Sequence, residues 1–236
     1  MDNYGNVYTM KSIADLLTGF ERFRHRYFEN DRSLYERLTR RGQAPNVMVI
    51  ACCDSRVDPA IVMDCDPGDV FVVRNVANLV PPCETGGGYH GTSAALEFAV
   101  RCLNVQHVIV MGHAHCGGIR ALLGDVQFSD GAGQFIQPWM LIAEEARRVA
   151  LAGEHPDAET RDMACEQAAI RISLENLMSF PFVRAAVAAG SLQCHGWYFD
   201  FEHGSLQGVD PATGEFSPLA AANGVDNSNE ICTILR

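Results

Sequence analysis

Two cysteines and a histidine follow the ends of two apolar runs, and their types and spacing suit a metal site. Cys52 comes directly after "VMVIA" (47–51), while His113 and Cys116 follow "VIVMG" (108–112). Two thiolates and an imidazole are a good ligand set for Zn²⁺, and three protein ligands with one open position are typical of catalytic zinc sites. We therefore predict one zinc ion per subunit, with a fourth position for water or for a nearby carboxylate.

The residues after Cys52 carry the remaining candidate chemistry. In an extended segment alternate residues face one side, so Cys52, Asp54 and Arg56 share a face. Cys53 faces the other way, and we interpret it as a packing residue. Asp54 can be the fourth zinc ligand or the partner of Arg56, and an ordinary surface ion pair is the alternative without function.

Short apolar runs without polar alternation predict the elements that position these residues. Runs at 47–51, 70–73 and 108–112 indicate strands covered on both faces, hence a parallel sheet with helices above and below. The carboxyl edge of such a sheet is where open α/β folds bind ligands. "GTSAALEFAVRCLN" predicts a crossover helix capped by Thr92 or Ser93. Further helices are predicted at 138–151 and 157–180, and a hairpin at 192–210.

The predicted fold class is α/β. A mainly parallel central sheet is flanked by helices, with an N-terminal helical arm and an edge hairpin near the C-terminus. We expect a single domain over residues 1–236, with residues 1–40 as the arm, because Ile13, Leu16, Leu17 and Phe20 recur at helical spacing.

Composition excludes several partners. The net charge of −11 disfavours nucleic acid and anionic membranes. No secretory signal is visible, and no apolar run approaches the length of about 20 residues that a membrane span needs, so we expect a cytoplasmic protein. Nine cysteines without a regular framework favour metal ligands and buried thiols over disulfides. The residues interpreted as packing thiols are Cys65, Cys83, Cys102, Cys165 and Cys194, while Cys232 is undetermined.

Four stretches together resemble the β-class carbonic anhydrases. They are "ACCDSRVDP", "GDVFVVRNVANLVPP", "GTSAALEFAV" and "GHAHCGG", in that family's order, and the resemblance runs from about Gln43 to Leu123. It implies hydration of CO₂ to bicarbonate and a proton by zinc-bound hydroxide. It also implies that Cys52, His113 and Cys116 hold the zinc, with Asp54 on the metal in a resting form or paired with Arg56 in the open one.

The resemblance further implies a substrate pocket at a subunit interface. Gln43 and the backbone N–H of Gly117 correspond to groups that hydrogen-bond substrate, and the apolar lining corresponds to Phe71, Val76 and Phe98. Val49 lies where a second branch of the family has tryptophan, which favours the plant-like branch. The family's minimal unit is a homodimer, often doubled to a homotetramer, and the N-terminal helix would cross its interface.

Three alternatives stay open at this point. The same scaffold could act on CS₂ or COS. A zinc-stabilised binding module would show a saturated ligand shell and no contact between Asp54 and Arg56. A redox protein using Cys52 and Cys53 is disfavoured, because these neighbours lack the usual Cys-x-x-Cys spacing.

Overall fold

The chain divides into two compact units. A computed structural model describes residues 10–84, 86, 88–124 and 133–219. The units are Met1–Gln43 and Ala44–Arg236. Cys232 and the rest of the C-terminal stretch lie outside the described residues. None of the helices in the described part is long and apolar enough to cross a membrane.

The first unit is helical. Helix α1 (Ile13–Arg24) begins at Ser12, whose side chain and that of Asp15 form a reciprocal capping box. The chain continues as a π-helical segment, His25–Asn30, and then as α2 (Ser33–Arg41). A cluster of aromatic rings holds these segments together, with Phe28 and Tyr35 stacked at a centroid distance of 4.8 Å.

One face of α1 carries exposed apolar side chains. The predicted stripe is present, and its members are between 55% and 74% exposed: Ile13, Leu16, Leu17 and Phe20. No residue of α1 is buried. The amphipathic pattern therefore forms the helix, but the packing of its own unit leaves the apolar face open to solvent.

Within the described residues of the second unit, six strands form one sheet in the order β2-β1-β3-β4-β5-β6. β2, β1, β3 and β4 are parallel, and β5 and β6 are added antiparallel at one edge. The three apolar runs form β1, β2 and β3, and the predicted hairpin forms β4 and β5. The bounds are β1 Val47–Cys52, β2 Val70–Asn75, β3 His107–His113, β4 Gln193–Asp200, β5 Ser205–Val209 and β6 Phe216–Pro218.

Helices connect and cover these strands. The one predicted at 138–151 starts earlier, and a 3₁₀ segment at Leu141–Ala143 interrupts it. The bounds are α3 Pro59–Val62, α4 Gly91–Glu97 with a π-helical continuation Phe98–Leu103, α5 Gly117–Leu123, α6 Ile136–Met140, α7 Glu144–Ala152, α8 Ala158–Leu177 and α9 Pro181–Ala188.

The predicted cap of the crossover helix is wrong. Helix α4 begins at Gly91, and its N-cap is His90, which makes no side-chain capping bond. Thr92 lies inside the helix and is 9% exposed, and its hydroxyl oxygen accepts a hydrogen bond from Asn75. Thr92 therefore connects α4 to the end of β2 and does not cap α4.

Two glycines let α8 approach the sheet closely. A Cβ at Gly112 of β3 would lie 2.7 Å from the Ile170 side chain, and one at Gly196 of β4 would lie 2.8 Å from the same residue. Such separations are shorter than any stable contact between carbon atoms. Ile170 is 0% exposed and belongs to the central core. Glycine at both positions therefore sets the distance between α8 and the strands that lead to the site.

We expect Gly196→Ala to lower the free energy of unfolding by about 1–3 kcal/mol, because the new methyl group overpacks a filled core. Its Cβ would also lie 2.7 Å from Val209 and 2.9 Å from Leu174. Gly91→Ala is the matched control, since a Cβ there meets nothing within 4 Å. Chemical denaturation measures both variants, and equal stabilities would contradict the close approach of α8.

Candidate metal centre

The three predicted ligands converge at the carboxyl edge of the sheet. Cys52 is the last residue of β1, His113 is the last residue of β3, and Cys116 immediately precedes α5. Their candidate ligand atoms all lie within 4.8 Å of one another. The three residues are 4%, 1% and 1% exposed. The parallel pairing of adjacent strands thus brings together side chains that are more than sixty positions apart.

The donor atoms fit a tetrahedral zinc ion. The two Sγ atoms are 4.0 Å apart, close to the separation of about 3.8 Å that two Zn–S bonds of about 2.3 Å give at a tetrahedral angle. His113 Nδ1 donates to the carbonyl of Ala114 at 2.8 Å. Its Nε2 is buried and has no hydrogen-bond partner. A buried ring nitrogen without a partner, oriented by a bond from the other nitrogen, is the usual state of a histidine ligand.

The surroundings favour a thiolate in this cluster. The hydrogen bond from the Cys116 thiol lowers the pKa of Cys52 below its ordinary value, with His113 acting in the same direction. The same pairing raises the pKa of Cys116, although the backbone N–H groups of Ile119 and Gly118 oppose that effect. Metal ligation requires deprotonated sulfur, and a divalent ion would stabilise both thiolates at once.

Asp54 and Arg56 form a bidentate ion pair beside the cluster. Arg56 Nε donates to Asp54 Oδ1 at 2.9 Å, and Arg56 Nη2 donates to Oδ2 at 2.6 Å. These hydrogen bonds lower the pKa of Asp54 to about 2, so the carboxylate is ionised throughout the neutral range. The guanidinium also lies 4.5 Å from the ring centre of Phe201. The structure therefore shows the paired form of Asp54, while its place on zinc in a resting form stays a prediction.

Arg74 fixes the loop that carries the pair. Its guanidinium donates to the carbonyl oxygens of Cys52 and Asp54, at 2.8 and 2.6 Å, and to the carboxylate of Asp58 at 2.7 Å. Three acceptors use the fork of donors that only arginine offers. The turn after β1 is thus held in one conformation from the neighbouring strand β2.

The predicted substrate residues fall into two groups. Val76 packs against the cluster that contains Cys52 and Cys116, and Gly117 opens α5 directly after Cys116. Gly117 is exposed, and a Cβ there would meet nothing within 4 Å. These two residues lie at the candidate metal centre.

The other predicted substrate residues are not brought to the metal cluster by any contact described for their own unit. Phe71 and Phe98 pair with ring centroids 6.0 Å apart, and Phe71 packs on the core that contains Met48 and Ile50. Phe98 is 44% exposed. Gln43 is exposed at the end of the first unit. Their roles stay predictions.

Sequence reasoning did not identify three residues behind the ligands. Glu166 accepts from the backbone N–H of Cys116, Tyr198 donates to Glu166, and Phe201 stacks under Arg56. One signal for Glu166 existed, because it continues the buried stripe Ile170, Ser173 and Leu177 of α8. A charged residue at a core position of a helix requires a partner.

The interpretation of Cys53 as a packing residue is wrong, because its side chain is exposed. Cys53 is outside the ligand cluster, as the alternation predicted. Cys165 and Cys194 are buried as expected, and burial raises the pKa of each to about 12. Cys65 and Cys83 are half-buried and Cys102 is exposed, so the packing interpretation of Cys102 is also wrong. The described cysteines are all free thiols.

Comparison with known proteins bears directly on this site. The family model for carbonic anhydrase matches residues 47–206. Beta carbonic anhydrase 5, chloroplastic, of Arabidopsis thaliana is 40% identical over 190 residues, which cover 79% of this chain and 61% of that protein. A carbonic anhydrase of Synechococcus elongatus is 35% identical, over 82% of this chain and 70% of that protein. The alignment with the Arabidopsis protein therefore spans less than two thirds of that protein's length.

Solved structures give the same result. The β-carbonic anhydrase CcaA is 32% identical with a TM-score of 0.80, covering 89% of this chain and 93% of that one. The Coccomyxa β-carbonic anhydrase in complex with acetazolamide is 28% identical with a TM-score of 0.68, covering 89% and 87%. The matched segment includes both strand ends and all three candidate ligands. With this fold, this cluster and these relatives, the chain belongs to the β-class carbonic anhydrase family.

Proposed function

We propose that this protein catalyses the reversible hydration of CO₂ to bicarbonate and a proton. The observation that carries the proposal is the buried cluster of Cys52, His113 and Cys116 next to the ion pair of Asp54 with Arg56. Members of the family are zinc enzymes, and the donor set fits zinc. Bound zinc is a Lewis acid that makes water a nucleophile near neutral pH.

Asp54 orients the nucleophile. An ionised carboxylate can only accept hydrogen bonds, so it can fix the direction of an O–H group near the metal ligands. Arg56 holds both carboxylate oxygens and also donates to the carbonyl of His115 at 3.1 Å. Arg56 therefore connects the loop after β1 to the segment after β3, and while it is paired with Asp54 it would keep that carboxylate away from a bound metal.

The remaining predicted residues suit CO₂ as a small apolar substrate. By the family resemblance, the backbone N–H of Gly117 donates to a CO₂ oxygen and Gln43 supplies a second amide donor. Phe71, Val76 and Phe98 supply apolar lining. The contact between Asp54 and Arg56 argues against a non-catalytic zinc-binding module, because a full set of four protein ligands would need the Asp54 carboxylate on the metal.

We propose a homo-oligomeric assembly, with a cytoplasmic location as the prediction from sequence. A solved chain that is 29% identical to this one, with a TM-score of 0.63, comes from a study of two tetrameric β-carbonic anhydrases of Sordaria macrospora. The exposed stripe of α1 supports association with a second copy, because contiguous apolar surface of this kind marks protein interfaces.

The zinc ligands are tested by a pair of neighbouring serine variants. We expect Cys52→Ser to lose stoichiometric zinc and CO₂ hydration, because a serine hydroxyl does not replace a thiolate on zinc. Cys53→Ser should keep both, since Cys53 is exposed and outside the cluster. Metal analysis by mass spectrometry and stopped-flow hydration measure the two properties. Stoichiometric zinc in Cys52→Ser would overturn the ligand assignment.

The ion pair is tested by Arg56→Lys. Lysine keeps the charge but loses the bidentate fork, so Asp54 is no longer held in one orientation. We expect turnover to fall on the order of 10- to 100-fold with zinc retained. Arg148→Lys is the control, because Arg148 forms a comparable pair with Glu145 on the exposed face of α7. A parental rate in Arg56→Lys would remove the pair from the mechanism.

The assembly is tested by sedimentation velocity. We expect a species of at least twice the 25.8 kDa chain. Leu16→Glu should shift the protein to smaller species, since a charge on the apolar stripe cannot be buried without cost. Thr18→Glu introduces the same residue beside the stripe and should leave the distribution unchanged. A monomeric parent would contradict the proposed association.

A further inference from the structure

A buried carboxylate lies directly behind one of the zinc ligands. Glu166 of α8 is 3% exposed. Its Oε1 accepts a hydrogen bond from the backbone N–H of Cys116 at 2.7 Å, and its Oε2 accepts one from the hydroxyl of Tyr198 at 2.7 Å. Tyr198 is 2% exposed on β4. Neither contact has a role in the mechanism described above.

Beyond the pairing of β3, three hydrogen bonds from other segments reach the backbone of residues 114–116, and the His115 side chain adds one to Glu202 at 2.8 Å. The N–H of Ala114 donates to the carbonyl of Phe199 at 3.0 Å. Arg56 donates to the carbonyl of His115. Glu166 accepts a hydrogen bond from the N–H of Cys116, and this contact is the one nearest to a sulfur ligand. His115 has φ of 55°, a conformation that costs energy for this residue type, so the segment depends on such outside contacts.

We propose that Glu166 is a positioning residue for the metal centre. Through the Cys116 amide it fixes the direction of the Cys116 thiolate, and Tyr198 fixes Glu166. This inference rests on the proposed zinc chemistry, but it concerns how tightly and in what geometry the chain holds the metal. Hydrogen-bonded partners outside the ligand shell commonly change metal affinity or activity by about 10- to 100-fold.

Glutamate suits this position because the Cys116 N–H and the Tyr198 hydroxyl both donate to it. A carboxylate accepts at both oxygens, whereas a glutamine side chain has one oxygen and one NH₂ group. In Glu166→Gln the new NH₂ group could face the Cys116 N–H, and two donors would then oppose each other. It could instead face the Tyr198 hydroxyl, which would have to rotate to accept. The variant keeps the volume of the side chain and removes its ability to accept twice.

A purely structural role predicts a different outcome. In that case Glu166 is a satisfied polar group of the core, and its loss lowers stability without touching the metal. Ser173 provides the matched control. Ser173 lies on the same helix and is 0% exposed. Its hydroxyl accepts a hydrogen bond of 3.2 Å from the backbone N–H of Val80, which lies outside the ligand segment.

The experiment compares zinc-loaded parent, Glu166→Gln, Tyr198→Phe and Ser173→Ala. Transfer of zinc to a chromogenic chelator gives the release rate, and thermal unfolding gives stability. Absorption of the cobalt-substituted proteins reports the thiolate-to-metal charge-transfer band. We expect Glu166→Gln to release zinc on the order of 10- to 100-fold faster and to shift the band. Tyr198→Phe should change the zinc release rate and the cobalt band in the same direction as Glu166→Gln, but by a smaller amount. Ser173→Ala should change only the stability.

A parental release rate and an unchanged cobalt band in Glu166→Gln would overturn the proposal, whatever its stability. If that variant does not fold, Tyr198→Phe decides by the same two readouts. If the parent holds zinc but does not hydrate CO₂, the proposed function fails while the release comparison still decides the role of Glu166. A parent that binds no zinc would overturn both.

Discussion

The parallel pairing of β1 with β3 is the constraint on which the metal centre depends. Ala51 pairs with Met111, so Cys52 and His113 end adjacent strands at nearly the same height. The central residues of both strands are at most 4% exposed, since each face of the sheet is covered. A slip of one residue would turn every side chain to the opposite face. The core therefore fixes the register, and the register fixes the distance between the first two ligands.

Electrostatic contacts refine what the register sets. Arg56 and Arg74 bring two cations to the loop that follows the ligand Cys52 and carries Asp54 and Asp58, in a chain of net charge −11. Arg56 is 49% exposed, so its pairing adds little to stability in water. Its value is geometric, because two parallel hydrogen bonds define the plane of the carboxylate. Arg74 acts similarly on the backbone, where its three acceptors fix the path of the turn.

The sequence predicted features that depend on local pattern. Apolar runs gave the strands, and residue types at strand ends gave the ligand cluster, because both follow from burial and from the geometry of parallel sheets. The prediction of a helix cap at Thr92 was wrong, because the Thr92 hydroxyl makes a tertiary contact with Asn75 that outweighs its local propensity to cap. The prediction that Cys53 packs in the core was wrong, because the alternation of side chains along a strand gives the direction of a side chain and not what covers it.

Contacts between distant segments were beyond prediction for a related reason. Glu166 follows Cys116 by 50 positions, and Tyr198 follows Glu166 by 32. Only the packing of α8 across β3 and β4 brings them together, and that packing depends on glycine at 112 and 196. In sequence, Glu166 resembles any polar residue of a surface helix. Its burial is visible only when the stripe of Ile170, Ser173 and Leu177 is extended backwards by one turn.

The two halves of the site differ in how completely one chain builds them. The three candidate ligands are at most 4% exposed, and Glu166 behind them is 3% exposed, so the metal half is shielded from water. The substrate half stays a prediction, and two of its predicted residues in the second unit are exposed, Gly117 and, at 44%, Phe98. An apolar gas gains from a pocket only when the lining is shielded from water. The proposed oligomer would cover Phe98 with further surface. Removing apolar area from water is worth about 25 cal/mol per Å², so it favours such an assembly.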